Sequence, residues 1–209
     1  MERTRQSHGS PMTIRRIDLE DLLSRLKEVH PDLSPIAAED VVVANWVRLK
    51  CRYGCKAYGK HLGCPPYSPT PEETKKVLEE YRAGVVARFE AEPDPEVSPQ
   101  HIHHHLWDSI NKVHETIFQL ERCAFLSGYY KAFGFNALPC TFCATCIPEE
   151  KERIDPFDAR NCRHKEKVRP SMEACGIDVF GTLERAGYDL EVLDSYSKGF
   201  ALFGLVLLE

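Results

Sequence analysis

No apolar run in this sequence approaches the roughly 20 residues that span a bilayer. The longest, Phe200–Leu208, has the length of a strand. No membrane partner is expected. Signal-peptide character is missing too, because residues 1–12 are polar and basic without an apolar stretch. The expected compartment is the cytoplasm, with residues 1–12 a disordered leader and 13–209 a single domain. An excess of positive charge is also lacking. The formal net charge of -5 offers no surface-wide neutralisation of phosphates, so nucleic acid is not the expected partner. No Walker A loop, dinucleotide-binding glycine fingerprint, H-E-x-x-H motif or internal repeat occurs, so nucleotide hydrolysis and zinc proteolysis have no support.

What the sequence has in abundance is cysteine, nine residues in 209. An odd number cannot pair completely within one chain. In a reducing compartment thiols stay available to metals, and a chain of this length with 43% hydrophobic residues can build a core without disulfides. Seven of the cysteines fall into two groups, Cys51/Cys55/Cys64 and Cys140/Cys143/Cys146/Cys162.

Between and around these groups the hydrophobic pattern predicts alternating elements. Ile17–Val29 carries apolar residues at helical spacing and stops near Pro31. Asp40–Lys50, with Val41, Val42, Val43, Trp46 and Val47, favours a strand leading into Cys51. Thr70 followed by Pro71, Glu72 and Glu73 marks a helix start, with the helix running to about Arg82. A strand over Val85–Phe89 and a loop over Glu90–Gln100 follow. Apolar residues recurring from Ile102 to Ala132 predict one long helix ended by Gly134, then a strand over Phe135–Leu138 leading to Cys140. Ser171 is the expected N-cap of a helix over Met172–Ala186 that stops at Gly187, with Glu173 in its first turn. Tyr188–Leu193 and Phe200–Leu208 read as final strands. The expected class is α/β (α+β), a mixed sheet of about five strands flanked by helices, with two cysteine-rich metal-binding loops.

In the second group, Cys140-Thr-Phe-Cys143-Ala-Thr-Cys146 spaces three thiols so that one turning loop can wrap a face of a metal cubane. Cys162, beyond Pro148 and Pro156, can fold back to close the site. Four thiolates suit a [4Fe-4S] cluster or a zinc ion. The C-x2-C-x2-C spacing favours the cluster, because zinc ribbons use two separated C-x2-C knuckles. Arg160, Arg163, Lys165, Lys167 and Arg169 bracket Cys162 with Glu166 alone of opposite sign. These cations would offset an anionic cluster, or they form an ordinary solvated basic face.

The first group is C-x3-C-x8-C, with Gly54, Gly59 and Gly63 between the ligands and Pro65-Pro66 after the last. Lys50, Arg52, Lys56 and Lys60 surround it. Its three local thiols either recruit a distant fourth ligand, with Cys175 the leading choice and His61 the nearer one, or leave a metal position open. Cys123 lies among Leu120, Ala124 and Leu126 and reads as a small buried apolar residue. His101, His103, His104, His105 and His114 read as surface and helix-start residues, with a further metal patch as the alternative.

The chain resembles the domain of unknown function 2284 family of predicted metal-binding proteins. The resemblance rests on Cys51-x3-Cys55, Tyr58-Gly59-Lys60, Cys64-Pro65-Pro66, the Cys140/Cys143/Cys146 triplet, Cys162-Arg163-His164, and the run from Arg169 to Val179. It implies metal binding by the cysteines and no particular reaction. Three functions follow as expectations. The leading one is an electron-transfer or redox accessory protein with one or two [4Fe-4S] clusters, whose basic flanks suit an acidic redox partner. Another is an iron–sulfur enzyme with an open iron at Cys51/Cys55/Cys64, where Arg52, Lys60 or His61 would orient an anionic substrate or move protons. Radical S-adenosylmethionine chemistry fits poorly, because its C-x3-C-x2-C spacing departs from the C-x8-C present. The third is a zinc-stabilised interaction module.

Overall fold

The structure is a computed structural model that describes residues 16–91, 102–150, 161–190 and 200–209. The leader, Arg160 and His101 lie outside the described residues, as does half of the expected strand over Tyr188–Leu193, whose described residues 188–190 are not strand.

The strands are β1 (Leu33–Ala37), β2 (Ala83–Ala91), β3 (Phe133–Phe135) and β4 (Phe200–Leu208), and they form one sheet in the order β1-β2-β4-β3. The helices are α1 (Leu19–Val29), α2 (Asn45–Gly54), α3 (Pro71–Leu78), α4 (Ile102–His105), α5 (Trp107–Leu126), α6 (Ile147–Glu150) and α7 (Val179–Arg185). The class is α+β, as expected, but among the described residues all three strand pairings are antiparallel and the strands number four. The expected mixed sheet fails because β4 inserts between β2 and β3, antiparallel to both. β2 and β3, joined through α5, therefore run the same way without touching.

Both faces of the sheet are covered, which explains why β4 is apolar at nearly every position. Val85, Ala87 and Phe89 on β2, with Leu202, Val206 and Leu208 on β4, face α1 and α5 and pack with Leu22, Leu26, Ile110, Val113, Ile117 and Leu120. Val86, Phe203, Leu205 and Leu207 face the opposite way, toward Met172, Cys175, Ile177 and Leu183. Alternation along each strand thus sorts the residues into two cores. The second of these cores takes Met172, Cys175, Ile177 and Val179 from the run Arg169–Val179.

Three local expectations need correction, and one strand, β1, was not expected. Asn45–Gly54 is helix instead of strand. Extended chain stops at Ala44, with Val43 bridging to Ile177, and the β-branched signal of the three valines runs on into a helix whose apolar residues Trp46, Leu49 and Tyr53 face outward. The helix expected over 102–132 breaks at Leu106 and ends at Leu126, because Gly128 takes φ +97° against the backbone of Arg16. The sequence pattern does not announce β1, since Pro35 lies inside it. An edge strand tolerates that proline. The helix expected over 172–186 is split. Glu173–Cys175 forms a single 3-10 turn, Gly176 takes φ +80° pressed against Pro71, and α7 restarts on an Asp178 cap.

The start of α3 follows its sequence signal. The Thr70 Oγ1 accepts from Glu73 N at 3.2 Å while Thr70 N donates to Glu73 Oε2 at 2.7 Å, a complete capping box. The helix ends at Leu78, short of Arg82.

Candidate metal centre

Two loops and one connecting segment build the site. Cys51 sits on α2, one turn before that helix ends, and Cys55 occupies its C-cap. The chain then turns back on itself through bonds from Tyr58 N to Cys55 O, Gly59 N to Pro65 O (2.8 Å) and Cys64 N to His61 O (2.9 Å), which bury Cys64. Gly59 permits this path with φ +73°. The three sulfurs are neighbours. Burial raises the Cys64 thiol well above its ordinary value, and Cys55, Cys51, Glu173 and Cys140 add to the rise. Burial raises Cys51 as well, with Cys55 next in effect and Arg48 opposing.

The second group forms as β3 gives way to a loop through Cys140, Cys143 and Cys146, which enters α6. Burial pushes Cys140 up to about 12, with Cys162, Cys146 and Cys143 adding to it. Backbone N–H groups point at the sulfurs: Phe142 toward Cys140, Leu62 and Ile147 toward Cys146, and His164 toward Cys162 at 3.4 Å. Such donors stabilise a thiolate or the inorganic core of a cluster. The Leu62 donor belongs to the first loop, and Cys64 feels Cys140, so the two groups adjoin one another.

The cations around Cys162 do not simply face the sulfurs. Lys167 Nζ lies 2.8 Å from Glu115 Oε1, Arg163 Nη2 2.5 Å from Glu150 Oε2, and Arg169 grips Glu121. Arg163 also bonds Thr145 O at 3.0 Å and the Cys143 sulfur. These pairs fasten the Cys162 strand of the loop to α5 and α6, a tethering role that the charge pattern alone did not indicate.

The segment Arg169–Asp178 is the hub of the site. Asn136 N donates to Pro170 O and Met172 N to Asn136 O, tying the segment to the end of β3. Ser68 Oγ donates to Ala174 O at 2.6 Å, Thr74 Oγ1 to Cys175 O at 2.8 Å, and Ala44 N to Gly176 O at 2.9 Å. Cys51 Sγ lies 3.8 Å from Glu173 O. Glu173, expected in the first turn of a helix, lies in a 3-10 turn and directs its carboxylate inward. It accepts from its own N–H, the Ser171 hydroxyl and the N–H of Leu138, a residue held at φ +58°. Burial raises its carboxyl above the usual range. Its Oε2 is buried without a hydrogen-bond partner. Sequence reasoning missed Glu173 and Asn136 as site residues, although Glu173 lies within the run that carries the family resemblance.

Cys175 is fully buried among Met172, Ile177, Leu205 and Leu207. Burial pushes its thiol up to about 12, with Arg48 opposing and Glu173 adding; Thr74 bonds it, and Cys51 adds weakly. His61 is half-buried, its Nδ1 has no partner, and burial lowers its pKa, with Glu149 and Lys60 the charges it feels. Cys123 is half-buried against the first core, as expected of a small apolar residue. Among the histidines outside the cysteine groups, His104 stacks on Trp107 and His105 is buried. His114 is fully buried, against the expectation of a surface position.

Among the described residues, no group of three or more His, Cys, Asp or Glu side chains is close enough to hold one metal ion. A tetrahedral zinc site needs its sulfurs about 3.8 Å apart, given Zn–S bonds of about 2.3 Å. A cubane spreads its thiolates more widely, and of the seven grouped cysteines Cys64 is buried and the other six are half-buried, with backbone N–H groups directed at Cys140, Cys146 and Cys162.

These features define a cysteine-rich α+β protein with a candidate metal centre. The chain matches, over residues 34–208, the family described as predicted metal-binding protein (DUF2284), and it belongs to that family. No curated protein and no solved structure matches it. Among the described residues, no helix is long and apolar enough to cross a membrane.

Proposed function

We propose that this protein binds iron–sulfur clusters at its two adjoining cysteine groups and exchanges single electrons with an acidic redox partner. The observation that carries the reading is the assembly of Cys51, Cys55 and Cys64 beside Cys140, Cys143, Cys146 and Cys162, with Cys64 in electrostatic reach of Cys140. Bound clusters supply one-electron redox capacity, tuned by charge, burial and hydrogen bonds to sulfur. The chain supplies the thiolates, the N–H donors of Leu62, Phe142, Ile147 and His164, and a surround that buries Cys64 and half-buries the other six cysteines. Because burial favours the protonated thiols, loading releases protons from the cysteine sulfurs.

The partner reading rests on the outer face of α2. Between Val41 and Pro71 the chain has no acidic residue and carries Arg48, Lys50, Arg52, Lys56 and Lys60. Trp46, Leu49 and Tyr53 are 47%, 55% and 81% exposed, and with Lys50 and Gly54 they line a shallow apolar groove. An exposed apolar patch framed by one sign of charge is the pattern of a docking face for a partner of opposite charge. This one lies on the helix that carries Cys51.

Oxygen-protected purification followed by iron and acid-labile sulfide analysis and EPR of the reduced protein tests the metal. Iron and sulfide in near-equal amounts are expected, and stoichiometric zinc without iron sinks the reading in favour of a zinc-stabilised module. Reduction by an acidic ferredoxin tests the face. The rate is expected to fall with ionic strength and to drop at least about tenfold in a Lys50→Glu/Arg52→Glu variant, while reduction by dithionite is unchanged.

A further inference from the structure

We infer that Glu173 supplies a carboxylate oxygen as the fourth protein ligand of the metal group at Cys51, Cys55 and Cys64. The inference deepens the proposed function, since it rests on a metal group at those three thiols. It concerns which residue completes the site, which the cysteine spacing leaves open.

Three observations converge on this residue. Glu173 acts electrostatically on Cys51 and on Cys64, the first and last thiols of the C-x3-C-x8-C loop, and the Cys51 sulfur lies 3.8 Å from its carbonyl oxygen. Its carboxylate is buried and held. Leu138 N–H and the Ser171 hydroxyl bond it, while Oε2 is buried with no hydrogen-bond partner. A buried acceptor in this state is costly unless something outside the chain satisfies it, and one iron of a cluster carried by these thiolates would do so.

The alternatives are placed less well. The Cys175 sulfur is bonded by Thr74, lies in the apolar core with Met172, Ile177, Leu205 and Leu207, and interacts with Cys51 alone of the three thiols. A cysteine so placed behaves as a small apolar residue. His61 Nδ1 is likewise buried without a partner, but the charges His61 feels are Glu149, on α6, and its neighbour Lys60, and no thiol of the first group is among them. A ligand set of three thiolates and one carboxylate would differ from the four-thiolate set of Cys140, Cys143, Cys146 and Cys162. Its oxygen ligand is harder and exchanges more readily than a thiolate, so one metal position of the first site would be the labile one.

The test uses the full chain, purified without oxygen, in a Cys143→Ser/Cys146→Ser background that leaves the first site as the main metal site. Glu173→Gln, Glu173→Cys and Cys175→Ala are compared for bound metal per chain, visible spectrum, EPR after mild oxidation, and circular dichroism. Glu173→Gln is expected to retain metal at least about tenfold more weakly against a chelator, or to hold a three-iron in place of a four-iron species. Glu173→Cys is expected to restore full loading through a thiolate, and Cys175→Ala to load like the parent. Full loading of Glu173→Gln overturns the inference, as does loss of metal in Cys175→Ala alone. Equal failure of Glu173→Gln and Glu173→Cys also overturns it, because the residue would then be structural only. If the parent holds zinc and no iron, the iron–sulfur reading fails, yet the same comparison of metal content still decides whether Glu173 is a ligand.

Discussion

Arg169 and Glu121 meet side by side, with Arg169 Nη2 2.5 Å from Glu121 Oε1 and Nε 2.6 Å from Oε2. The pair is nearly buried, at 16% and 12% side-chain exposure. Glu121 Oε2 also accepts from Gly134 N at 2.8 Å, and the guanidinium lies against the rings of Phe118 and Phe133. One ion pair thus joins α5, β3 and the start of the segment that presents Glu173. Removing one partner of such a pair leaves an uncompensated charge and costs about 3–5 kcal/mol. Glu121→Ala is expected to lower stability in urea unfolding by that order. Glu121→Gln, which keeps an acceptor for Gly134 N, is expected to lose less. Equal stability of Glu121→Ala and the parent would show that the contact carries nothing.

His114 links the first core to the loop that leads into Cys140. Its Nε2 lies 3.0 Å from Ala137 O and its Nδ1 3.1 Å from Asn136 Nδ2, so the neutral ring donates to the carbonyl and accepts from the amide. Burial lowers its pKa to about 4. An unfolded chain takes up a proton on this residue below about 6.5, whereas the folded chain does so only near 4. The contribution is therefore complete above about pH 6.5 and is lost as the pH falls toward 4, by about 3 kcal/mol in total. Unfolding midpoints measured from pH 7.5 down to 4.5 are expected to fall more steeply in the parent than in His114→Gln. Parallel profiles would remove His114 as the cause.

Ile117 of α5 rests in a hollow made by two glycines on adjacent strands. A Cβ on Gly204 would stand 2.5 Å from Ile117 Cδ1 and 3.0 Å from Phe135 O, and a Cβ on Gly134 would stand 2.6 Å from Ile117 Cγ2. Gly204→Ala is expected to cost about 1–3 kcal/mol through overpacking. Ile117→Val removes the nearest carbon, so in a double-mutant cycle it is expected to cost less beside Gly204→Ala than alone. Additive losses would place the strain elsewhere.

Where local chemistry decides the outcome, the sequence was legible. The Thr70-Pro71-Glu72-Glu73 start of α3 needs nothing beyond its own first turn, and β4 followed its unbroken apolar run to the residue. Where distant contacts decide, it misled. Val41–Val43 marked extended chain correctly, but the helix after them presents Trp46, Leu49 and Tyr53 to the outside, so no buried periodicity announced it. Glu173–Cys175 resembled a helix start until Pro71, far along the chain, pressed on Gly176.

The sequence by itself determined that the protein is α+β and that cysteines at two sets of spacings form candidate metal sites, because turn lengths and thiol intervals are properties of short stretches of chain. It also carried enough of the family pattern to place the chain among predicted metal-binding proteins. Only the tertiary structure decided that the two cysteine groups adjoin, that Lys167, Arg169 and Arg163 pair with Glu115, Glu121 and Glu150, and that Glu173 turns its carboxylate inward. Those relations join residues far apart in sequence. Burial and the need of each buried polar group for a partner, neither visible in local spacing, settle them.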